Sequence, residues 1–303
     1  MALLARPRSL VLAAPLLALL LALAGCFDTS QQVAAPAGES SIHLTMGNPS
    51  GATADPDKPD NYLMRKTYFA LSYNNAKGTP NWVSWCLKKD DLGDAPRWPQ
   101  FYPDEDLPIG FKQVKPGDYT GSGFDRGHMC PSADRSTEES AKATFVMTNI
   151  IPQSPNCNQH AWADLEDYCR DRVRKKHQTL YIVAGPQGEG GVGTKGPEKI
   201  IGHADKVTVP AHCWKVILAL DDGQGDASDA TRVNRDSRVI GVMMPNDQSV
   251  EHGWAKYRKS VKDVEALTGY HFFDQVPAAV IGPLKERVDN EHIPAGHHKK
   301  PED

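Results

Sequence analysis

Short apolar runs rich in β-branched and aromatic residues recur along this chain, and segments with helical spacing interrupt them only twice. The runs are Tyr68 to Tyr73, Asn81 to Leu87, Phe145 to Ile150, Leu180 to Ala184, Lys206 to Val209, Trp214 to Leu220 and Val239 to Met244. Each has the length and composition of a buried strand. The first two, joined through Asn74-Asn75, read as a hairpin. The helical segments are Asn158 to Lys176, with a stripe of Ala161, Trp162, Leu165, Tyr168, Cys169 and Val173, and Trp254 to Leu267, which Gly269 ends. Strands grouped in runs, rather than alternating strictly with helices, predict an α+β fold.

The N-terminus is organised differently. Arg6 and Arg8 precede an uncharged apolar run from Leu10 to Ala24, which has the layout of a signal peptide and is short for a membrane span. The run closes on Leu23-Ala24-Gly25-Cys26, which resembles a bacterial lipoprotein signal in which Cys26 becomes the lipidated first residue. Phe27 after that cysteine resembles a sorting signal for an outer membrane. The expected plan is a signal peptide over 1–25, a flexible tether over 26–42, one domain over 43–285 and a disordered tail over 286–303. The chain is expected to be exported, anchored at a membrane through Cys26 or secreted. His297-His298 falls in the tail and reads as solvated.

The chain carries 34 basic and 38 acidic residues, and two of the bases lie in the leader. Such an acidic protein is a poor tight, non-specific binder of nucleic acid, because neutralising phosphates requires Lys and Arg. An enzyme acting on nucleic acid remains compatible with this balance if its positive charge is local. Five cysteines follow Cys26, so at least one is free or pairs between chains. A helix between Cys157 and Cys169 would hold those two roughly 18 Å apart, beyond disulfide reach. No Cys/His spacing suggests zinc. The glycines of 187–196 lack the Lys-Ser/Thr of a phosphate loop and read as a flexible surface loop.

Two clusters carry chemistry. Tyr119 to Pro131 sets three glycines beside Asp125, Arg126 and His128. An arginine can hold a phosphate, and a histidine is suited to moving a proton near neutral pH. A lone histidine in a loop would be unremarkable; the second cluster changes its meaning. If 158–176 is helical, Asn158, Trp162, Glu166 and Arg170 step by four and form one slowly drifting row. An Asn oxygen is a hard ligand suited to Mg²⁺, a carboxylate can hold the waters of that ion, and a guanidinium can grip a phosphate.

Taken together, Asp-Arg-Gly-His at 125–128, Thr-Asn-Ile-x-Pro-Gln at 148–153 and Asn-Gln-x-x-Trp-x-x-Leu-Glu at 158–166 resemble the DNA/RNA non-specific endonucleases. These are the ββα-metal or His-Me finger nucleases, and the resemblance spans about residues 43 to 275. It implies a central, mostly antiparallel sheet flanked by helices. It implies His128 as the general base, Asn158 as the single direct protein ligand of Mg²⁺, with Mn²⁺ as a substitute, and Glu166 as the holder of metal-bound water. It implies phosphate contacts from Arg126 and Arg170, a supporting amide at Asn149 on the substrate side, and a further phosphate-binding arginine at Arg97. His160 departs from the pattern, which favours a small residue there, and places a titratable ring two positions from Asn158.

The implied activity is Mg²⁺-dependent endonucleolytic hydrolysis of DNA and RNA, leaving 5′-phosphorylated fragments, with a homodimer left open. The alternative is a catalytically weak lipoprotein of the same fold that only binds nucleic acid. The intact His128, Asn158 and Glu166 argue against it. A zinc phosphodiesterase or serine hydrolase finds no support, since neither H-x-x-x-H on a helix nor G-x-S-x-G occurs.

Overall fold

The computed structural model describes residues 1–2, 41–204 and 206–293. The expected signal peptide from residue 3 onward, Cys26, the tether as far as residue 40 and the His297-His298 pair lie outside the described residues. The chain divides into a short unit, Met1–Val33, and a second unit from Ala34 onward, which holds all the helices and strands of the described residues. Among the described residues no helix is long and apolar enough to cross a membrane.

Chain order runs β1 (Tyr62–Arg65), β2 (Ala70–Asn74), β3 (Thr79–Leu87), β4 (Asp125–His128), α1 (Glu138–Ala143) and β5 (Ile150–Gln153). The turn α2 (Pro155–Cys157) leads through a π-helical turn (Asn158–Trp162) into α3 (Ala163–Lys176). Then come β6 (Thr179–Gln187), β7 (Gly191–Gly193), β8 (Gly196–Glu198), β9 (Ile200–Ile201), β10 (Val207–Thr208) and β11 (His212–Leu220). The rest is α4 (Asp229–Arg232), β12 (Arg238–Pro245), β13 (Arg258–Lys259), α5 (Val261–Thr268) and α6 (Ala278–Glu286).

The frame is a seven-stranded sheet in the order β1-β2-β3-β6-β11-β12-β13, antiparallel throughout. Successive side chains of a strand face opposite sides, and here both sides are covered. In β6, Leu180, Ile182 and Ala184 join the layer beneath α3, while Tyr181 and Val183 join the layer beneath α5 and α6. In β11, Cys213, Ile217 and Ala219 face α3, and Trp214, Val216, Leu218 and Leu220 face the other way. Double coverage explains why these strands read as continuous apolar runs instead of alternating ones. α3 closes the first layer with Leu165, Tyr168, Cys169 and Val173. α5 and α6 close the second with Val261, Val264, Ile281 and Leu284.

The α+β expectation holds, and β4, β5 and α3 make the β-β-α succession that the resemblance implies. Several local expectations do not hold. Asp125–His128, absent from the expected strand runs, is strand β4, with His128 opposite Ile150 and Asp125 opposite Gln153. Of the expected strand Phe145 to Ile150, Met147–Asn149 is a 3-10 turn, because the Asn149 amide bonds back to Thr144 O and the pairing starts only at Ile150. The expected helix Trp254 to Leu267 splits into a 3-10 turn, the short edge strand β13 and α5. Ser260 and Asp263 form a capping box that sets the true start of α5. The glycine-rich loop folds into the β7-β8 ribbon and docks on the turn before β4, where Thr194 N donates to Gly123 O at 2.9 Å.

Residues 286–293, which fall in the expected tail, are described and are tied to the domain. Asp289 accepts both arms of Arg238 at 2.6 and 2.8 Å, and Arg172 and Arg238 reach Glu291. All five cysteines after Cys26 are buried and free.

Candidate active site

The site is built where β4 and β5 run into α3. Gly127 is required in β4 because a β-carbon there would lie 2.6 Å from Gln153 Cβ across the ribbon. The absence of a side chain there lets Gln153 pack against β4, with His128 paired to Ile150 across the ribbon. The His128 ring is 9 % exposed, between Phe101 (centroids 5.3 Å apart) and the edge-on Phe145 (4.7 Å), and its buried Nε2 has no partner among the described residues. Burial, helped by the positive charge of Arg97, pulls its pKa down to about 3. The imidazole is therefore neutral near pH 7 and available to take a proton.

Arg97 is exposed, with its guanidinium carbon 5.3 Å from the Phe145 ring centre, so the structure brings it to the His128 neighbourhood as expected. Arg126 is half-buried. Its Nε and Nη2 both donate to Pro116 O, at 3.1 and 2.7 Å, and its charge lies over Phe101. It is a fixed positive charge beside the histidine.

Asn158 opens the π-helical turn. Ser154 and Pro155 start the turn before it: Ser154 Oγ accepts from Cys157 N, and Pro155 takes a position that needs no N–H. Asn158 Nδ2 donates to Asp125 Oδ2 at 2.8 Å, and Gln159 Nε2 donates to the same oxygen at 2.8 Å. Asp125 thus fixes the amide's orientation and leaves the Asn158 oxygen without a hydrogen bond from the described residues. A neutral oxygen, pinned and unengaged, fits a hard divalent ion such as Mg²⁺. Among the described residues no three His, Cys, Asp or Glu side chains gather as a metal cage, so a bound ion would keep most of its waters.

Glu166, one face of α3 further along, is 14 % exposed at its side chain. Burial raises its pKa to about 6, against the opposing pull of Lys215 and Arg170. Near neutral pH it is ionised and can accept hydrogen bonds from water.

Two residues expected at the substrate are elsewhere. Asn149 is wholly buried: its oxygen accepts from Cys130 N, and its nitrogen donates to Cys130 O and Thr144 O. It clasps the chain just after His128 and cannot touch substrate. Arg170 points into the protein, with Nη1 at 3.0 Å from Asp134 and Nη2 at 2.6 Å from Asp167, and its side chain is 8 % exposed. Asp134 also accepts from Trp85 Nε1, so this arginine ties α3 to the sheet. His160 rests against the 250–252 segment, its Nδ1 at 3.0 Å from Val250 O and its ring 4.4 Å from that of His252.

Sequence reasoning assigned no role to Asp125 and missed Lys215, Phe101 and Phe145. Lys215 left a signal, a lysine inside an otherwise apolar strand run. The two aromatics left none, because their approach to His128 is purely tertiary.

The profile of the family described as "DNA/RNA non-specific endonuclease" matches residues 47–279. A protein named nuclease from Nostoc sp. is 45% identical over 278 residues, which cover 90% of this chain and 96% of that one. The human mitochondrial nuclease EXOG is 32% identical over 222 residues, 68% of this chain and 55% of the relative, so the match spans little more than half of that protein. A crystal structure of an EndoG/EndoGI complex aligns with a TM-score of 0.61 and 25% identity, covering 80% of this chain and 94% of the other.

Proposed function

The chain belongs to the DNA/RNA non-specific endonuclease family and is a nuclease, and we propose that it is exported and cuts DNA and RNA in a Mg²⁺-dependent reaction with little sequence preference. The observation that carries the site assignment is the pairing of a neutral His128 on β4 with an Asn158 oxygen that Asp125 orients and leaves unengaged.

His128 takes a proton from water, which attacks the phosphorus in line with the leaving 3′ oxygen; general-base assistance of this kind is worth about 10² to 10⁴ in rate. Arg126, anchored on Pro116 O, and Arg97 at the exposed rim hold the phosphate. Asn158 with water would hold Mg²⁺, which supplies positive charge against the charge building on the phosphate and the leaving oxygen. Glu166 would accept hydrogen bonds from the waters of that ion. Products carry 5′-phosphates. These groups address the phosphate and not the bases, which accounts for weak sequence preference.

The test is a Mg²⁺ digestion series on duplex DNA, single-stranded DNA and RNA, with and without EDTA. His128→Ala should fold normally and lose cleavage by at least about 10²-fold. A His128→Ala protein that cuts at the parent rate would remove His128 as the base. A parent protein that binds nucleic acid without cutting it would favour the binding lipoprotein instead.

A further inference from the structure

Lys215 sits mid-strand in β11 with 1 % of its side chain exposed. Its strand neighbours on the same face, Cys213 and Ile217, belong to the apolar layer beneath α3. An aliphatic side chain there would leave no charge to desolvate, and burying an ammonium is costly unless it is paired. The ammonium has two kinds of partner. Glu166 Oε1 is 3.7 Å away, and the Trp162 ring centre lies 4.1 Å from Nζ, with the Trp85 ring at 5.7 Å. Trp162 is the tryptophan of the Asn-Gln-x-x-Trp segment, and the proposed reaction otherwise gives it no task. A ring face so close stabilises a desolvated cation.

We infer that Lys215 is a positioning residue of the nuclease site, whose buried ammonium, held under the Trp162 ring, aims the Glu166 carboxylate and keeps it charged. The inference rests on the proposed role of Glu166. The charges facing Glu166 are Lys215 from β11, Arg170 and Asp167 from α3, and Asp134 from the segment after β4. Arg170 is already shared between Asp134 and Asp167. Among the described residues Lys215 forms an ion pair with Glu166 alone. Without it, burial among apolar groups and two nearby carboxylates would push Glu166 toward its neutral form, which holds water less well.

The test compares the parent with Lys215→Met, close in length and uncharged, and Lys215→Arg, which keeps the charge. The Glu166 titration is read by carbon NMR on glutamate-labelled protein, its resonance assigned with Glu166→Gln. Lys215→Met should raise the Glu166 midpoint by a pH unit or more, move the acid limb of the cleavage rate upward with it, and raise the Mg²⁺ concentration needed for half-maximal rate. Lys215→Arg should return each of these toward the parent. An unmoved Glu166 midpoint in folded Lys215→Met overturns the inference and leaves the nuclease assignment of the site standing. Should Lys215→Met fail to fold, the parent decides: its Lys215 Nζ resonance should change across the pH range in which Glu166 titrates, and a flat resonance overturns the inference. Absence of Mg²⁺-dependent cleavage in the parent, with the coupled titration present, would instead overturn the reading of the site.

Discussion

His43 shows how a single residue can set a pH limit far from any reaction. Its Nδ1 accepts from Cys86 N at 3.2 Å and its Nε2 lies 3.1 Å from Thr67 O, an arrangement that fits only the neutral ring with the proton on Nε2. Burial, with the charge of Arg135 adding to it, lowers its pKa from 6.5 to about 3. Below the unfolded value the unfolded chain takes a proton that the folded one refuses. The stability contribution is therefore complete above about pH 6.5 and is lost as pH falls toward 3. His128 acts with the same sign, and the raised pKa of Glu166 acts with the opposite sign. In His43→Gln, the slope of unfolding free energy against pH between about pH 4 and 6 should fall by up to about 1.4 kcal/mol per pH unit. Urea unfolding across that range measures it, and an unchanged slope would show that His43 is protonated in the folded state.

The element that matters most is the joint between β5 and α3. In a regular α-helix each residue advances about 100°, so Asn158 and Glu166, eight apart, would differ by about 80° in direction. The π-helical turn over Asn158–Trp162 winds less per residue and swings Asn158 back toward the Glu166 face. The expected drifting row is thus straightened at its first member. The joint is also stapled to the sheet. Asn246, immediately after β12, accepts from Ser154 N at 2.7 Å and donates to Pro152 O at 3.0 Å and Pro210 O at 2.8 Å. Asn246→Ala would leave buried backbone groups of this joint unpaired, at about 1–3 kcal/mol each. Thermal melting should show the loss, and cleavage should fall further than the folded fraction does, because Asn158 loses its fixed approach. A stability loss with cleavage per folded molecule unchanged would mean that the joint holds without its staple.

At the scale of the whole molecule, the sheet is a platform covered on both faces, and the site lies on the α3 side. The far end of the chain helps hold α3 in place: Asp289 pairs with Arg238 and Arg258, and Arg238 also meets the Tyr168 hydroxyl of α3. The first residues past α6 are therefore part of the domain. From the N-terminal pattern we propose that the chain is exported, with Cys26 as the lipid-bearing residue. Expressed in a bacterial host, the full chain should fractionate with membranes, and Cys26→Ser should move it to the soluble exported fraction with its cleavage activity retained. Parent protein already soluble after export would exclude the anchor.

The motif residues were legible because their chemistry is local. Asp125 to His128 and Asn158 to Glu166 each lie within a few residues of one another, and the apolar runs marked most strands of the sheet. Side-chain type and spacing along the chain suffice to name a base, a hard oxygen ligand and a carboxylate. Partners were not legible, because they arrive from distant segments. Asp134 reaches Arg170 across 36 positions and turns a candidate phosphate ligand into an internal tie. Asn149, next to the motif histidine along the ribbon, spends every side-chain polar atom on backbone 5 to 19 positions away. Lys215 reaches Glu166 only because β11 lies beneath α3. The sequence by itself determined which groups could do the chemistry. The tertiary structure decided which of them face the substrate, because burial and charge pairing depend on what packs against a side chain and not on its neighbours in the chain.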